Sequence, residues 1–303
     1  MEDLILKPLD QLFLLNLEIH KNLDKIAEPI LVVGGQAVAY WLEMYSDIIE
    51  MNAKDEFASQ SVDIDYATCT NNAQLMADFW GVDVKFAKNH PPPSIAVMKL
   101  VDYSHNIKKN DDGFLFIDID EYNNERKLEG NMVDIIDLPA GFSNELRSNT
   151  KYAKLYSSPF IFPESFKIEP STKLRILSPL GCLKSRITNL LDTPKNNEIE
   201  IIRIKLLREP LAYYLQDVAE EEGFREYKRH LDSLKDLILS REGIQLYTLY
   251  DVNLIEVYRL IAISTPDTPN SFIDKELPSV LKKMNEKYTN RKAAYNKYLS
   301  QIK

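Results

Sequence analysis

The stretch PILVVGGQAVAYWLEMY, Pro29–Tyr45, decides how the first half of this chain reads. Ile30–Val33 is an apolar run of strand length, and Gly34 and Gly35 follow it at once. The residues after them, Gln36–Tyr45, have helical composition. The order is therefore buried strand, two-glycine turn, helix. Paired glycines let a backbone approach a ligand closely, and a helix N-terminus offers free N–H groups to an anion. Two familiar phosphate loops are excluded: GGQAVA is not G-x-G-x-x-G, and no G-x-x-x-x-G-K-[ST] occurs. A purely structural tight turn would look the same, so the glycines need company before they point to chemistry.

That company comes in SVDIDYA, Ser61–Ala67. Val62, Ile64 and Tyr66 alternate with Ser61, Asp63 and Asp65, the period-2 pattern of a half-buried strand. Asp63 and Asp65 then point to one face. Two carboxylates on one strand face suit hard Mg²⁺, which takes oxygen ligands and shares them with phosphates. A third carboxylate from a neighbouring strand would complete such a site. NMVDIIDL, Asn131–Leu138, offers Asp134 in alternation with Val133 and Ile135, with Asp137 as a second choice. The Asp-x-Asp spacing recurs at Asp118 and Asp120 in GFLFIDIDEY, but beside Phe114 and Phe116 and running into polar residues. That copy reads as a strand end meeting solvent.

Around these motifs the chain reads as α+β, a mixed sheet with flanking helices followed by a helical C-terminal part. Leu12, Leu15, Ile19, Leu23 and Ile26 recur at helical steps within residues 1–27, and NNAQLMADFWG reads as a helix stopped by Gly81. Residues 46–60 are polar and irregular. Three strand-like runs follow the Pro-rich loop at 91–93: SIAVMKLVD, GFLFIDIDEY and NMVDIIDL. The last two suggest an antiparallel hairpin. From about residue 178 the pattern is helical, with breaks near Gly223, Gly243 and the loop at 264–271. The expected domains are 1–172 and 173–303.

The 303 residues carry a net charge of −9, so the whole molecule is no electrostatic nucleic-acid binder. From Leu281 to Lys303, however, seven Lys/Arg stand against Glu286 alone. That local charge of +6 leaves −15 for the rest. The expected helix 281–303 carries an apolar stripe of Leu281, Met284, Tyr288, Tyr295, Leu299 and Ile302. Its basic face is a candidate RNA contact. No apolar run approaches the about 18 residues of a membrane span, so no membrane partner is expected. An acidic start lacks the cationic segment of a secretory signal, and Cys69 and Cys182 make neither a disulfide framework nor a zinc site. A cytoplasmic location is expected. His20, His90, His105 and His230 show no metal-ligand spacing and are expected in solvent; Cys182 reads as core.

The ordered set of Gly34–Gly35, Asp63–Ile64–Asp65 and Asp134 resembles the DNA polymerase β-like nucleotidyltransferase superfamily. Within it, LVVGGQAVAYWL…SVDIDYA is most similar to AbiE-type bacterial toxin enzymes, whose helical half often opens as in ILSPLGCLKSRITNLL here. The resemblance covers roughly residues 28–190. It implies a nucleotidyltransferase domain that moves a nucleoside monophosphate from an NTP to an acceptor such as RNA, tRNA or protein, with Mg²⁺ or Mn²⁺. By position, Asp63 and Asp65 would hold metal, and Asp134 would be the third ligand and help activate the acceptor hydroxyl. Gly34, Gly35 and Ser61 would lie along the nucleotide, with Lys184 and Arg186 neutralising phosphate. A toxin–antitoxin or phage-defence role, with an antitoxin protein as partner, is implied as well. Two other readings stay open. One is a nucleotidyltransferase fold that binds nucleotide or a partner without catalysis, and the other is transfer to a small hydroxylated molecule. Lys184 could equally be a surface residue.

Overall fold

Strand β1, Ile30–Val33, is buried at every position, the mark of a strand covered on both faces. In β2, Ile64–Ala67, Ile64 and Tyr66 are fully buried and Asp65 is half-exposed, so the predicted alternation holds. A computed structural model of the protein describes residues 5–49, 61, 63–87, 94–117, 129–148, 150–192, 197–264 and 268–302. Five further strands, β3 (Val84–Phe86), β4 (Ser94–Lys99), β5 (Met132–Ile136), β6 (Ser157–Phe160) and β7 (Ser171–Leu177), complete a seven-stranded sheet. Its order is β3-β4-β5-β2-β1-β7-β6. β1 lies parallel to β7 and β2 parallel to β5, while the other neighbours are antiparallel. The fold is mixed α and β, as expected.

The register assigns two faces to the sheet. Val32 sits opposite Tyr66, Tyr66 opposite Ile135, and Ile135 opposite Ala96, so these buried residues share one face. Helices α1 (Pro8–Lys21) and α3 (Thr70–Trp80) close it. The Tyr66 hydroxyl donates to Asn16 Oδ1 at 2.8 Å, and Trp80 Nε1 donates to the Leu15 carbonyl at 3.1 Å. Burial pushes the Tyr66 phenol far above its ordinary range, so it stays a donor. Helix α2 (Gly34–Met44) leaves the end of β1 without a linker.

The chain divides into two compact units, Met1–Met44 with Met51–Cys182, and Tyr45–Glu50 with Leu183–Lys303. The sheet belongs to the first, together with the short helix α4 (Lys151–Tyr156) and the first turn of α5 (Pro179–Asp192). A boundary at residue 172 therefore falls inside β7. The second unit is helical: the remainder of α5, then α6 (Asn197–Leu206), α7 (Arg208–Glu222), α8 (Phe224–Leu239), α9 (Arg241–Tyr250), α10 (Ile255–Ser264) and α11 (Leu277–Ile302). In α8, Tyr227, Leu231, Leu234 and Ile238 recur at three- and four-residue steps and are buried.

Several expectations change. The expected hairpin between GFLFIDIDEY and NMVDIIDL is described only at an antiparallel bridge, Ile117 to Gly130, with Asn131 N donating to the Phe116 carbonyl at 2.9 Å, and residues 118–128 lie outside the described residues. β5 itself lies between β2 and β4. Asp118 and Asp120 lie outside the described residues, as does His90. His230 is buried rather than solvated, its Nδ1 3.1 Å from the Glu226 carbonyl. The helix break near Gly243 falls at Ser240, which caps α9 by accepting from Gly243 N. Cys182 is buried as expected.

Because Trp80 is buried and tied to α1 by its indole N–H, Trp80→Ala is expected to cost about 3–5 kcal/mol of stability. Denaturant unfolding of the sheet unit, followed by circular dichroism, checks this. A cost below about 1 kcal/mol would contradict the described packing.

Candidate functional site

The site begins where β1 turns into α2. Gly34 has φ +70°, a left-handed conformation that side chains rarely adopt. Space forbids a side chain as well: a Cβ there would lie 1.9 Å from Asp65 Oδ2 and 2.7 Å from its Cγ. The Asp65 carboxylate therefore rests directly on the Gly34 backbone, at the first residue of α2. The register makes this unavoidable, since Val33 and Asp65 are partners across β1 and β2.

Asp65 is in turn the direct partner of Asp134 on β5. Adjacent strands lie about 4.8 Å apart, so the two side chains leave the same face as neighbours. Both are half-buried, and next along the row stands Val97 of β4. Ser94 Oγ donates to Asp134 Oδ1 at 2.6 Å, which orients that carboxylate. Asp63, just before β2, is exposed. Asp137, the second choice, is ion-paired with Arg147 instead. The structure thus brings Gly34, Asp65 and Asp134 together, with Asp63 two residues upstream.

Gln36 anchors the approach to β2. Its side chain is fully buried, and Nε2 donates to the Ser61 carbonyl at 2.5 Å. Gln36 Oε1 is buried without a hydrogen-bond partner among the described residues. Ser61 is itself buried, and its Oγ donates to the Asp63 carbonyl at 3.5 Å. Ser61 thus acts here through backbone placement. Gln36 and Ser94 went unread in the sequence. A lone amide in the apolar helix after two glycines was the available signal for Gln36; a serine after three prolines carried none.

The other predicted residues belong to the helical unit. Lys184 is half-buried on α5. Arg186 is buried, its Nη1 3.1 and 3.3 Å from the two Glu200 oxygens, and Arg203 reaches the same carboxylate at 3.3 Å. A buried guanidinium so paired is committed, because removing its partner would strand a charge. On the basic helix, Met284 and Tyr288 are buried as the stripe required, but Leu299 is exposed. Ile302 lies outside the described side chains. Lys287 Nζ donates to the Leu239 carbonyl at the end of α8. Lys292 Nζ donates to the Thr248 carbonyl and to Asp251 at the end of α9. Both cations face helix C-termini, where the dipole favours positive charge.

Among the described residues no three His, Cys, Asp or Glu side chains group as a ready metal cage. Mg²⁺ needs none, since it commonly keeps water and takes one or two carboxylates plus substrate phosphates. The all-oxygen pair Asp65 and Asp134 meets that demand. No described helix is long and apolar enough to cross a membrane. Neither a family model, nor a curated protein, nor a solved structure matches this chain.

The contact between Gly34 and Asp65 is testable by a double-mutant cycle. Gly34→Ala is expected to destabilise by about 1–3 kcal/mol, from the positive φ and from the clash. Combining it with Asp65→Ala should remove the clash and leave the φ strain. The two effects should then fall short of additivity by about 0.5 kcal/mol or more, read from unfolding midpoints. Strict additivity would contradict the contact.

Proposed function

We propose that this protein is a metal-dependent nucleotidyltransferase that moves a nucleoside monophosphate from an NTP to an acceptor hydroxyl. The observation that carries the reading is the row formed by Gly34, Asp65 and Asp134: a positive-φ glycine at a helix start, packed against one of two carboxylates paired across parallel strands. The polymerase β-like nucleotidyltransferases that the motifs resemble carry a strand-helix glycine pair, an Asp-x-Asp strand and a later Asp.

In this reading Asp65 and Asp134 hold Mg²⁺ or Mn²⁺, with Asp63 beside them. The ion supplies charge neutralisation for the triphosphate and a lowered pKa for the attacking hydroxyl. The chain's own groups do the remainder. Backbone N–H groups after Gly34 and Gly35 face the triphosphate at the start of α2. Asp134, held by Ser94, accepts the proton of the acceptor hydroxyl as its oxygen bonds to the α-phosphorus and pyrophosphate departs. Gln36 fixes the Ser61–Asp63 segment, so Asp63 enters at a set height. Lys184 is the phosphate partner suggested by the resemblance. The resemblance suggests Arg186 as well, whose Nη1 is engaged by Glu200. RNA is the acceptor that helix α11 suits best, and a toxin held in check by an antitoxin is the corresponding biological role.

One observation favours a second reading, nucleotide binding without transfer: Arg186, an expected phosphate partner, is buried against Glu200. Incubation with each labelled NTP, Mg²⁺ and total cellular RNA, then gel separation, distinguishes the two. Transfer is expected in the wild type and should fall at least 100-fold in Asp65→Ala and in Asp63→Ala, while Asp118→Ala keeps it. Saturable Mg²⁺–NTP binding with no transfer to RNA, protein or small hydroxylated molecules would select the second reading. Equal loss from Asp118→Ala and Asp65→Ala would refute the site.

A further inference from the structure

The helical unit contains a cavity of about 590 Å³ bordered by α9 and α11, a volume typical of small-ligand pockets. Its charged lining residues are Arg241, Lys287 and Arg291, and among the described residues no Asp or Glu lines it. Two of the three, Lys287 and Arg291, come from the basic C-terminal segment, and Arg241 adds a third from α9. Lys287 spends one N–H on the Leu239 carbonyl, which fixes its ammonium at the rim. Arg241 and Arg291 are exposed and make no ion pair among the described residues. Three cations placed around one concavity raise the local potential for an anion of several charges. They converge on a single cavity, and this favours a discrete polyanion over a strand tracked along a surface.

The rest of the lining gives the ligand a second part. Tyr295 is half-buried, and Leu249 is 46% exposed, an apolar surface left open beside the cations. Gln245 adds an amide that can both donate and accept. A polyphosphate joined to a flat, hydrogen-bonding ring satisfies all three elements: charge on the arginines and Lys287, stacking on Tyr295, edge contacts at Gln245.

We propose that this cavity is a second ligand site that takes a nucleoside di- or triphosphate without metal. It is independent of the transferase reading, since it uses none of the sheet carboxylates. The test is equilibrium binding of a fluorescent nucleoside diphosphate to the full chain with EDTA present, in wild type, Arg241→Glu, Arg291→Glu and Asp65→Asn. Saturable binding is expected in wild type and Asp65→Asn, with affinity falling about tenfold or more in each arginine variant, which corresponds to about 1.4 kcal/mol. Both arginines are exposed, so unchanged melting temperatures should show that the variants fold. No saturable binding would overturn the proposal. So would binding indifferent to both arginines, or binding lost only in Asp65→Asn, which would assign the ligand to the sheet. Tight binding of a short single-stranded RNA with none of the diphosphate would overturn it in favour of a nucleic-acid surface.

Discussion

The arrangement of the sheet unit depends on the contact of the Asp65 carboxylate with the backbone of Gly34. That contact lets β1 end and α2 begin without a linker while β2 runs alongside. A side chain at Gly34 would have to push Asp65 away, and with it the register that sets Asp65 beside Asp134. Glycine adopts this left-handed φ without steric cost, which confines the turn to a residue with no side chain. Two carboxylates side by side form an arrangement that a bound cation would stabilise.

Charge is used differently in the helical unit. Arg186, Glu200 and Arg203 form a buried network, and Lys287 and Lys292 terminate helices. Two of the seven cations of the basic C-terminal segment, Lys287 and Lys292, are thus turned to helix ends. The cations left facing open space include Arg241 and Arg291, one from each of two helices far apart in sequence. A reading of the C-terminal segment alone finds only the second.

Period-2 alternation made β2 legible, because Ile64 and Tyr66 face a packed layer and Asp65 does not. The same pattern singled out Asp134 within Met132–Ile136. What local pattern could not convey was pairing. β5 lies between β2 and β4, and partner choice across so long an interval is set by tertiary packing. β6 escaped notice because Pro159 and two serines argue against a strand; on the sheet edge, proline is tolerated. Ser94 and Gln36 escaped for a related reason. Their partners, Asp134 and the Ser61 carbonyl, lie 40 and 25 residues away.

The central claim is that Asp65 and Asp134 act as one metal–triphosphate site. Calorimetric titration of ATP in the presence of Mn²⁺ tests it most directly, comparing the wild type with Asp65→Asn, Asp134→Asn and the double variant. Mn²⁺-dependent binding is expected, and either single substitution should remove it as fully as the double one. Independent, additive losses, or Mn²⁺-dependent binding that survives Asp134→Asn, would contradict it.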